Sequence, residues 1–280
     1  MTEEISEQQI TAALKRHFGY DAFRDGQYQP IEEVVNGRDA VVVMPTGSGK
    51  SLCYQLAALL LPGTTLVVSP LIALMKDQVS ALEKRQIPAT FLNSSVPPDE
   101  MDFRLAAMAN GDYKLVYIAP ERFRNAAFLQ AVARTELALL TIDEAHCISQ
   151  WGHDFRPDYL NIRDALDGFP DIPILAVTAT ATPDVRADII RQLRLGEAPR
   201  EKPYVQVQGF SRDNALRRWR KEEADDLGIA AFRIMSNKTL FRIAEENPRT
   251  LSHLSHIVYN QTLNTYGEDI LDVLSSLANP

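Results

Sequence analysis

Cysteine is scarce in this 280-residue sequence, with Cys53 and Cys147 the only two. Two thiols cannot build the disulfide framework of a small secreted fold, nor a four-cysteine zinc site. No apolar run reaches 18 residues, so no membrane-spanning helix is expected, and residues 1–10 are acidic and polar rather than a secretion signal. Positive charge is also in deficit. Lys and Arg number 29 against 37 Asp and Glu, a net charge of −8, and neither the first 209 residues nor the remainder is basic. A broad basic coat for nucleic acid is excluded, although a local groove is not. Tandem repeats and low-complexity tracts are missing as well. What is present is ordinary globular composition, 45% hydrophobic and 24% charged, with room for one large or two ordinary domains. The expectation is a soluble, cytoplasmic chain of a reducing compartment.

Up to about residue 210, short apolar β-branched runs alternate with longer amphipathic stretches. Strands are predicted over 40–44, 65–69, 90–93, 114–119, 137–143, 174–179 and 204–208. Helical patterns fall over 51–61, 74–85, 99–110, 126–134 and 184–193. Several strand runs are apolar at consecutive positions, as strands buried on both faces are. Strand–helix–strand alternation at this spacing predicts an α/β fold, a parallel sheet with helices on both faces. Ligands of such folds bind at the carboxyl ends of the strands. The stretch 196–211, with Pro199, Pro203 and Gly209, ends the alternation. Beyond it the pattern is all-helical, over 214–227, 238–246, 251–260 and 267–277, with Asn237 a candidate N-cap and Pro248 a stop signal.

The segment Met44-Pro45-Thr46-Gly47-Ser48-Gly49-Lys50-Ser51 follows the first strand and opens a helix. Glycines let a backbone wrap closely around phosphates, while its N–H groups and the helix N-terminus favour negative charge. Lys50 is placed to reach the β- and γ-phosphates and Ser51 to bind Mg²⁺. Met44 stands where this motif usually starts with glycine. The bland alternative is a glycine-rich turn between strand and helix. A second signal opposes it: Asp143-Glu144-Ala145-His146 ends the apolar run 137–142. An acid at a strand end beside a phosphate loop can hold Mg²⁺, and a second acid can orient or deprotonate water. Two such motifs, each at the carboxyl end of a strand, read as an ATP site.

With these residues in view, the chain resembles the RecQ family of superfamily 2 ATP-dependent DNA helicases over residues 14–195. The resemblance implies a RecA-like P-loop lobe that uses ATP and Mg²⁺ and acts on DNA, 3′ to 5′. Phe18-Gly19-Tyr20, Phe23-Arg24 and Gln27 resemble the family's adenine-binding motif; by that likeness Tyr20 stacks on the base, while Arg24 and Gln27 contact it. Met44–Ser51 is similar to the family's motif I, its Met included. Residues 68–78, with Ser69, Pro70 and Lys76, look like a single-strand contact motif, and 117–122, ending at Arg122, like another. Asp143–His146 is similar to motif II, and 177–181, with Thr178 and Thr180, to the motif that couples hydrolysis to movement. His146 is included in that coupling. The stretch 147–157, with Gln150, Trp151, His153, Phe155 and Arg156, is similar to the aromatic-rich loop of RecQ proteins. Trp151, Phe155 and Arg156 also make physical sense as a stacking and charge platform for unpaired bases, against the plain alternative of core aromatics.

The C-terminal helices resemble an HRDC domain through Trp219-Arg220, Asn237-Lys238-Thr239-Leu240, Ile243-Ala244, Pro248 and Tyr266-Gly267. The family's Gly-x-Gly turn is replaced by Val258-Tyr259-Asn260-Gln261-Thr262, which puts a phosphate contact there in doubt, since close backbone approach usually needs glycine. A structural or protein-binding bundle is an equal reading. The expected organisation is an ATP-binding domain over 1–198, a linker over 199–212 and an HRDC-like domain over 213–280. The second RecA-like lobe, zinc and winged-helix regions of the family are not expected in this sequence. Without a second lobe's arginine finger, worth about 10³–10⁵ in rate, intrinsic hydrolysis is expected to be slow. A natural short protein, an internally deleted helicase, and an ATP site completed by a partner or a second copy all remain open.

The expected partners are single-stranded or partly unwound DNA, in a nucleoid-associated role with no membrane. The competing reading is a non-catalytic, ATP-controlled module for DNA or protein. A small-molecule kinase is disfavoured by the adenine motif and the aromatic loop. His253 and His256 share a helical face but have no third ligand nearby, so solvated surface is the simpler reading. The two cysteines are expected to be small buried residues.

Overall fold

The computed structural model describes residues 4–152, 154–166, 171–198, 200–208 and 212–276. The chain divides into two compact units, Met1–Val207 and Gln208–Pro280. Along the first unit run α1 (Glu7–Phe18), α2 (Tyr28–Val35), β1 (Ala40–Val43), α3 (Lys50–Leu60), β2 (Thr64–Val68), α4 (Ile72–Glu83), β3 (Ala89–Leu92) and α5 (Pro98–Ala109). It continues through β4 (Leu115–Ile118), α6 (Ala126–Val132), β5 (Leu137–Ile142), α7 (Leu160–Leu166), β6 (Ile174–Thr178), α8 (Pro183–Gln192) and β7 (Tyr204–Val207). The strands form one sheet in the order β3-β4-β2-β5-β6-β1-β7, and every pairing is parallel.

All seven expected strands are present. Successive residues of the central strands feed two different apolar layers: Val41, Leu66, Val68 and Ile142 pack on one side, Val42, Val67 and Leu139 on the other. That two-sided burial is why their sequences are apolar at consecutive positions. The edge strand β7 alternates instead, with Val205 and Val207 exposed, as half-covered strands do. It lies in the stretch read from sequence as a linker, of which Pro199 and residues 209–211 are outside the described residues. The buried Asp39 carboxylate ties this corner together, accepting from Ile174 N–H at 2.9 Å, Gly196 N–H at 3.0 Å and Arg200 Nη1 at 2.7 Å. Helices α1 and α2 were not among the expected elements. Yet α1 carries a local signature, a capping box in which Ser6 accepts from Gln9 N–H and Gln9 accepts from Ser6 N–H.

The second unit holds α9 (Arg212–Asp226), α10 (Asn237–Glu246), α11 (Leu251–Leu254) and α12 (Asn260–Ser276). Its core gathers Leu216, Trp219, Leu240, Ile243, Leu254 and Ile270, and Trp219 meets Tyr266 edge-on with centroids 5.7 Å apart. Two expectations are corrected here. Ser236 rather than Asn237 caps α10, because the Ser236 hydroxyl accepts from Thr239 N–H at 3.1 Å, while Asn237 Oδ1 accepts from buried Arg220 at 2.7 Å. The helix expected over 251–260 is a single turn, closed at Ser255, and a new helix begins at Asn260. Among the described residues no helix is long and apolar enough to cross a membrane.

Candidate nucleotide and nucleic-acid site

Strand order decides what meets. β6 lies between β1 and β5, so the loops that follow these three strands emerge side by side at one edge of the sheet. Met44 N–H donates to Thr178 O at 3.0 Å, and Asp143 N–H to Val68 O at 2.8 Å, extending the ladders into the loops. The glycine-rich loop, the acid pair and Thr178 are thereby assembled from segments more than 30 residues apart.

In the loop after β1, Gly47 and Gly49 have φ of 82° and 89°, backbone that side chains disfavour. A Cβ on Gly49 would stand 2.4 Å from Gln27 Nε2. Gln27 explains the closeness: its amide donates to Ser48 O at 3.0 Å and Gly49 O at 3.3 Å, while its Oε1 accepts from Arg24 N–H at 2.9 Å. Arg24 Nη1 adds a bond to Gly47 O at 3.2 Å. Arg24 and Gln27, expected to contact adenine, therefore brace the glycine-rich loop. Tyr20 stands exposed nearby in sequence, its ring available for stacking. Lys50 opens α3 and turns back, its ammonium donating to Met44 O at 3.1 Å. Burial lowers its pKa, and the charges of Glu144 and Asp143 partly restore it. Thr46 is exposed, while Ser48 and Ser51 are half-buried at the helix entrance.

Asp143 is pushed up to about 6, first by burial and then by its neighbour Glu144. Glu144 N–H donates to its Oδ1 at 3.0 Å, and Ser69 Oγ to its Oδ2 at 3.4 Å. Glu144 itself adopts a left-handed backbone, φ 48°, which turns the chain sharply after β5. His146 Nδ1 stands 2.7 Å from Thr178 Oγ1 and 3.3 Å from Glu144 Oε2. The Thr178 hydroxyl donates on to Thr180 O at 3.2 Å. His146, Thr178 and Thr180, which the resemblance assigns to coupling, are linked by direct contacts. These residues fit a nucleotide with Mg²⁺: a partly desolvated ammonium, a closely wrapped backbone and a paired acid share one strand edge.

The expected nucleic-acid residues separate into two groups. Trp151 is 76% exposed, Gln150 and Lys76 are exposed, and Phe155 is half-buried, so the loop presents its indole outward. Arg156 is held by Asp154, at 2.9 Å, and donates to Pro70 O at 3.3 Å, which joins the aromatic loop to the segment after β2. Arg122 donates to Asn93 O at 2.6 Å and braces the β3 loop, so the structure gives it a scaffold contact. Ser69 is buried against Asp143 rather than open to a strand. His153 lies outside the described residues. Sequence reading missed Tyr159, whose hydroxyl donates to Asp143 O at 3.1 Å; its position past the aromatic loop carries no local signal. Both cysteines are buried as expected, and His253 lies 3.8 Å from Glu246.

Comparison with known proteins places the two segments of the chain in families. Residues 24–189 match the DEAD/DEAH box helicase family and residues 212–274 the HRDC domain. The chain belongs to the DEAD/DEAH box helicase family, and its first unit is a RecA-like lobe. Its likeness within that family is to RecQ-type helicases. It is 42% identical to the ATP-dependent DNA helicase RecQ of Bacillus subtilis over 251 residues, 89% of this chain and 39% of that protein. Against the RecQ of Haemophilus influenzae it is 47% identical over 195 residues, 70% of this chain and 32% of that one. The chain thus spans about two-fifths or less of these curated relatives. Among solved structures, the DUF1998 helicase MrfA shares the fold with a TM-score of 0.57 at 20% identity, covering 81% of this chain and 38% of that one. A hypothetical ATP-dependent RNA helicase from Sulfolobus tokodaii gives 0.54 at 19%, covering 75% and 59%.

Proposed function

We propose that this chain binds ATP with Mg²⁺ and single-stranded or partly unwound DNA through its first unit, and hydrolyses ATP slowly when alone. The observation that carries the reading is the convergence of Lys50, Asp143, Glu144 and the His146–Thr178 pair at the ends of three neighbouring strands. The division of labour is an ATP-binding domain over the first unit, Met1–Val207, whose sheet includes β7, and an HRDC-like domain over the second, Gln208–Pro280.

In this reading Thr46, Gly47, Ser48 and Gly49 wrap the phosphates, and Lys50 exchanges its carbonyl partners for phosphate oxygens. Ser51 and Asp143 hold Mg²⁺, which when bound offsets negative charge on the transferring phosphoryl group. Glu144 orients the attacking water. Tyr20 stacks on adenine, with Arg24 and Gln27 reporting base occupancy to the loop they already hold. His146, Thr178 and Thr180 relay the state of Glu144 to the strand end of β6. Trp151 and Phe155 stack on unpaired bases, with Gln150, Arg156, Pro70 and Lys76 alongside and Ser69 and Arg122 supporting that surface from beneath. A second copy or a partner protein supplies the arginine that completes the site. Only residues 190–211 separate the helicase-type segment from the HRDC-type segment, too few to hold a second lobe between them. The setting is cytoplasmic, close to the nucleoid.

The test is phosphate release from ATP by the purified chain, with and without single-stranded DNA, across a range of protein concentrations. DNA-stimulated turnover rising faster than linearly with protein is the expected result. A flat rate near zero despite measurable ATP binding would instead make the chain a non-catalytic, ATP-controlled binding module.

A further inference from the structure

His146, Cys147 and Asp154 bring three chemically different donor atoms together where the acid motif runs into the aromatic loop, all within 4.8 Å of one another. Cys147 Sγ lies 3.7 Å from His146 Nε2 and 3.8 Å from Asp154 Oδ2. Donors on a tetrahedral zinc ion, at ordinary Zn–S, Zn–N and Zn–O lengths, stand about 3.3–3.6 Å apart. The cluster is a few tenths of an ångström from that spacing in the two pairs that involve sulfur.

The surroundings of His146 strengthen the case. Thr178 Oγ1 donates its proton to Thr180 O, which leaves the same oxygen to accept from His146 Nδ1. The Glu144 carboxylate faces that nitrogen too. The network assigns the ring proton to Nδ1 and turns the Nε2 lone pair toward the sulfur. Metal-binding histidines are oriented in this way, by a carboxylate or other acceptor on the far nitrogen.

We propose that His146, Cys147 and Asp154 form a site for one zinc-class divalent cation, with water in the fourth position. The donors enter as neutral imidazole, thiolate and carboxylate, so two negative charges meet a divalent ion. As the sulfur–metal bond forms, the S–H bond breaks and its proton goes to solvent; nothing is oxidised or reduced. Thiolate and imidazole select against Mg²⁺, a hard ion that takes oxygen ligands and retains its waters. The ion is therefore distinct from the one assigned to Ser51 and Asp143. Arg156 competes for it, because its Nε and Nη2 donate to the same Asp154 oxygen at 3.2 and 2.9 Å. Uptake shifts the guanidinium toward the other carboxylate oxygen and its existing bond to Pro70 O. An occupied site fastens the root of the Trp151 loop to His146, and through it to the end of β6.

The experiment is titration of the full chain with Co²⁺, a spectroscopic stand-in for Zn²⁺, reading thiolate-to-metal charge transfer and the intensified visible bands of a tetrahedral site. Saturation at one ion per chain is expected, with the bands bleached by added Zn²⁺. Cys147→Ser should abolish the charge-transfer band, whereas Cys53→Ser should keep it. Asp154→Asn, on an exposed side chain that does not endanger the fold, should weaken binding at least about tenfold. No band near one equivalent, a band that survives Cys147→Ser, or parent-like affinity in Asp154→Asn would each overturn the site. The readout needs neither ATP nor DNA, so its failure leaves the nucleotide reading untouched, and the reverse.

Discussion

The two units treat their polar groups differently. In the sheet unit, buried or half-buried Asp143, Glu144, His146, Thr178 and Lys50 converge on one edge, and burial displaces the Asp143 and Lys50 pKa values in the directions that disfavour charge. In the helical unit the charged side chains serve the fold. Arg220 is buried and bonds Met235 O at 2.7 Å, Arg217 lies 4.7 Å over the Phe241 ring, and Arg242 pairs with Glu246 one turn on at 2.6 Å. Exposed aromatic surface, Tyr259 at 84% and Phe232 at 72%, is scattered across it. Burial also lowers the Arg220 pKa, but there a single cation is satisfied by packing partners, whereas the sheet unit gathers several perturbed groups at one edge, the pattern expected of a functional site.

Three substitutions test that contrast, the largest effect first. Lys50→Ala removes the cation at the heart of the loop and should abolish nucleotide binding, with the melting temperature little changed. Fluorescent-nucleotide titration reads it, and undiminished affinity would end the ATP assignment. Trp219→Ala should destabilise the helical unit by about 3–5 kcal/mol, the range for emptying a buried indole site. Because the apolar cores of the two units are separate, nucleotide affinity should survive; its loss would mean the units do not fold independently.

Asp143→Asn gives the smallest effect and the sharpest sign. Its folded-state pKa is raised, from an ordinary 3.8 to about 6. The folded chain therefore holds this proton more tightly than the unfolded one. The stability that the protonated form contributes is present at low pH and is lost as pH rises through about 6. At pH 7.5 without Mg²⁺ the charged carboxylate costs at most about 3 kcal/mol. The amide variant should melt a few degrees higher there, and the gain should shrink as pH falls below 6. A variant that melts lower than the parent at pH 7.5 would remove this account of the site's strain.

Much of the first unit was legible because its signals are local. Seven strands, the Gly47–Ser51 loop and the Asp143–Glu144 pair sit in short runs whose hydrophobic period and residue types carry the information. The helical unit was less legible: a run at 251–260 with helical spacing breaks after one turn, because Thr250 caps a short helix and a new one starts at Asn260. Boundaries of this kind depend on which cap bonds form, and several candidates compete along the sequence.

By itself the sequence determined that a parallel sheet would form and that glycine-rich and acidic motifs would lie at its strand ends, since β-branched runs and glycine spacing act over a few residues. Only the tertiary structure decided that Ser69 and Tyr159 hold Asp143 and that Arg122 braces a neighbouring loop. It alone decided that Cys147 meets Asp154 across the turn. Those contacts follow from strand order and loop course. Residues far apart become neighbours through the sheet's crossovers, and no local pattern encodes which loops will face each other.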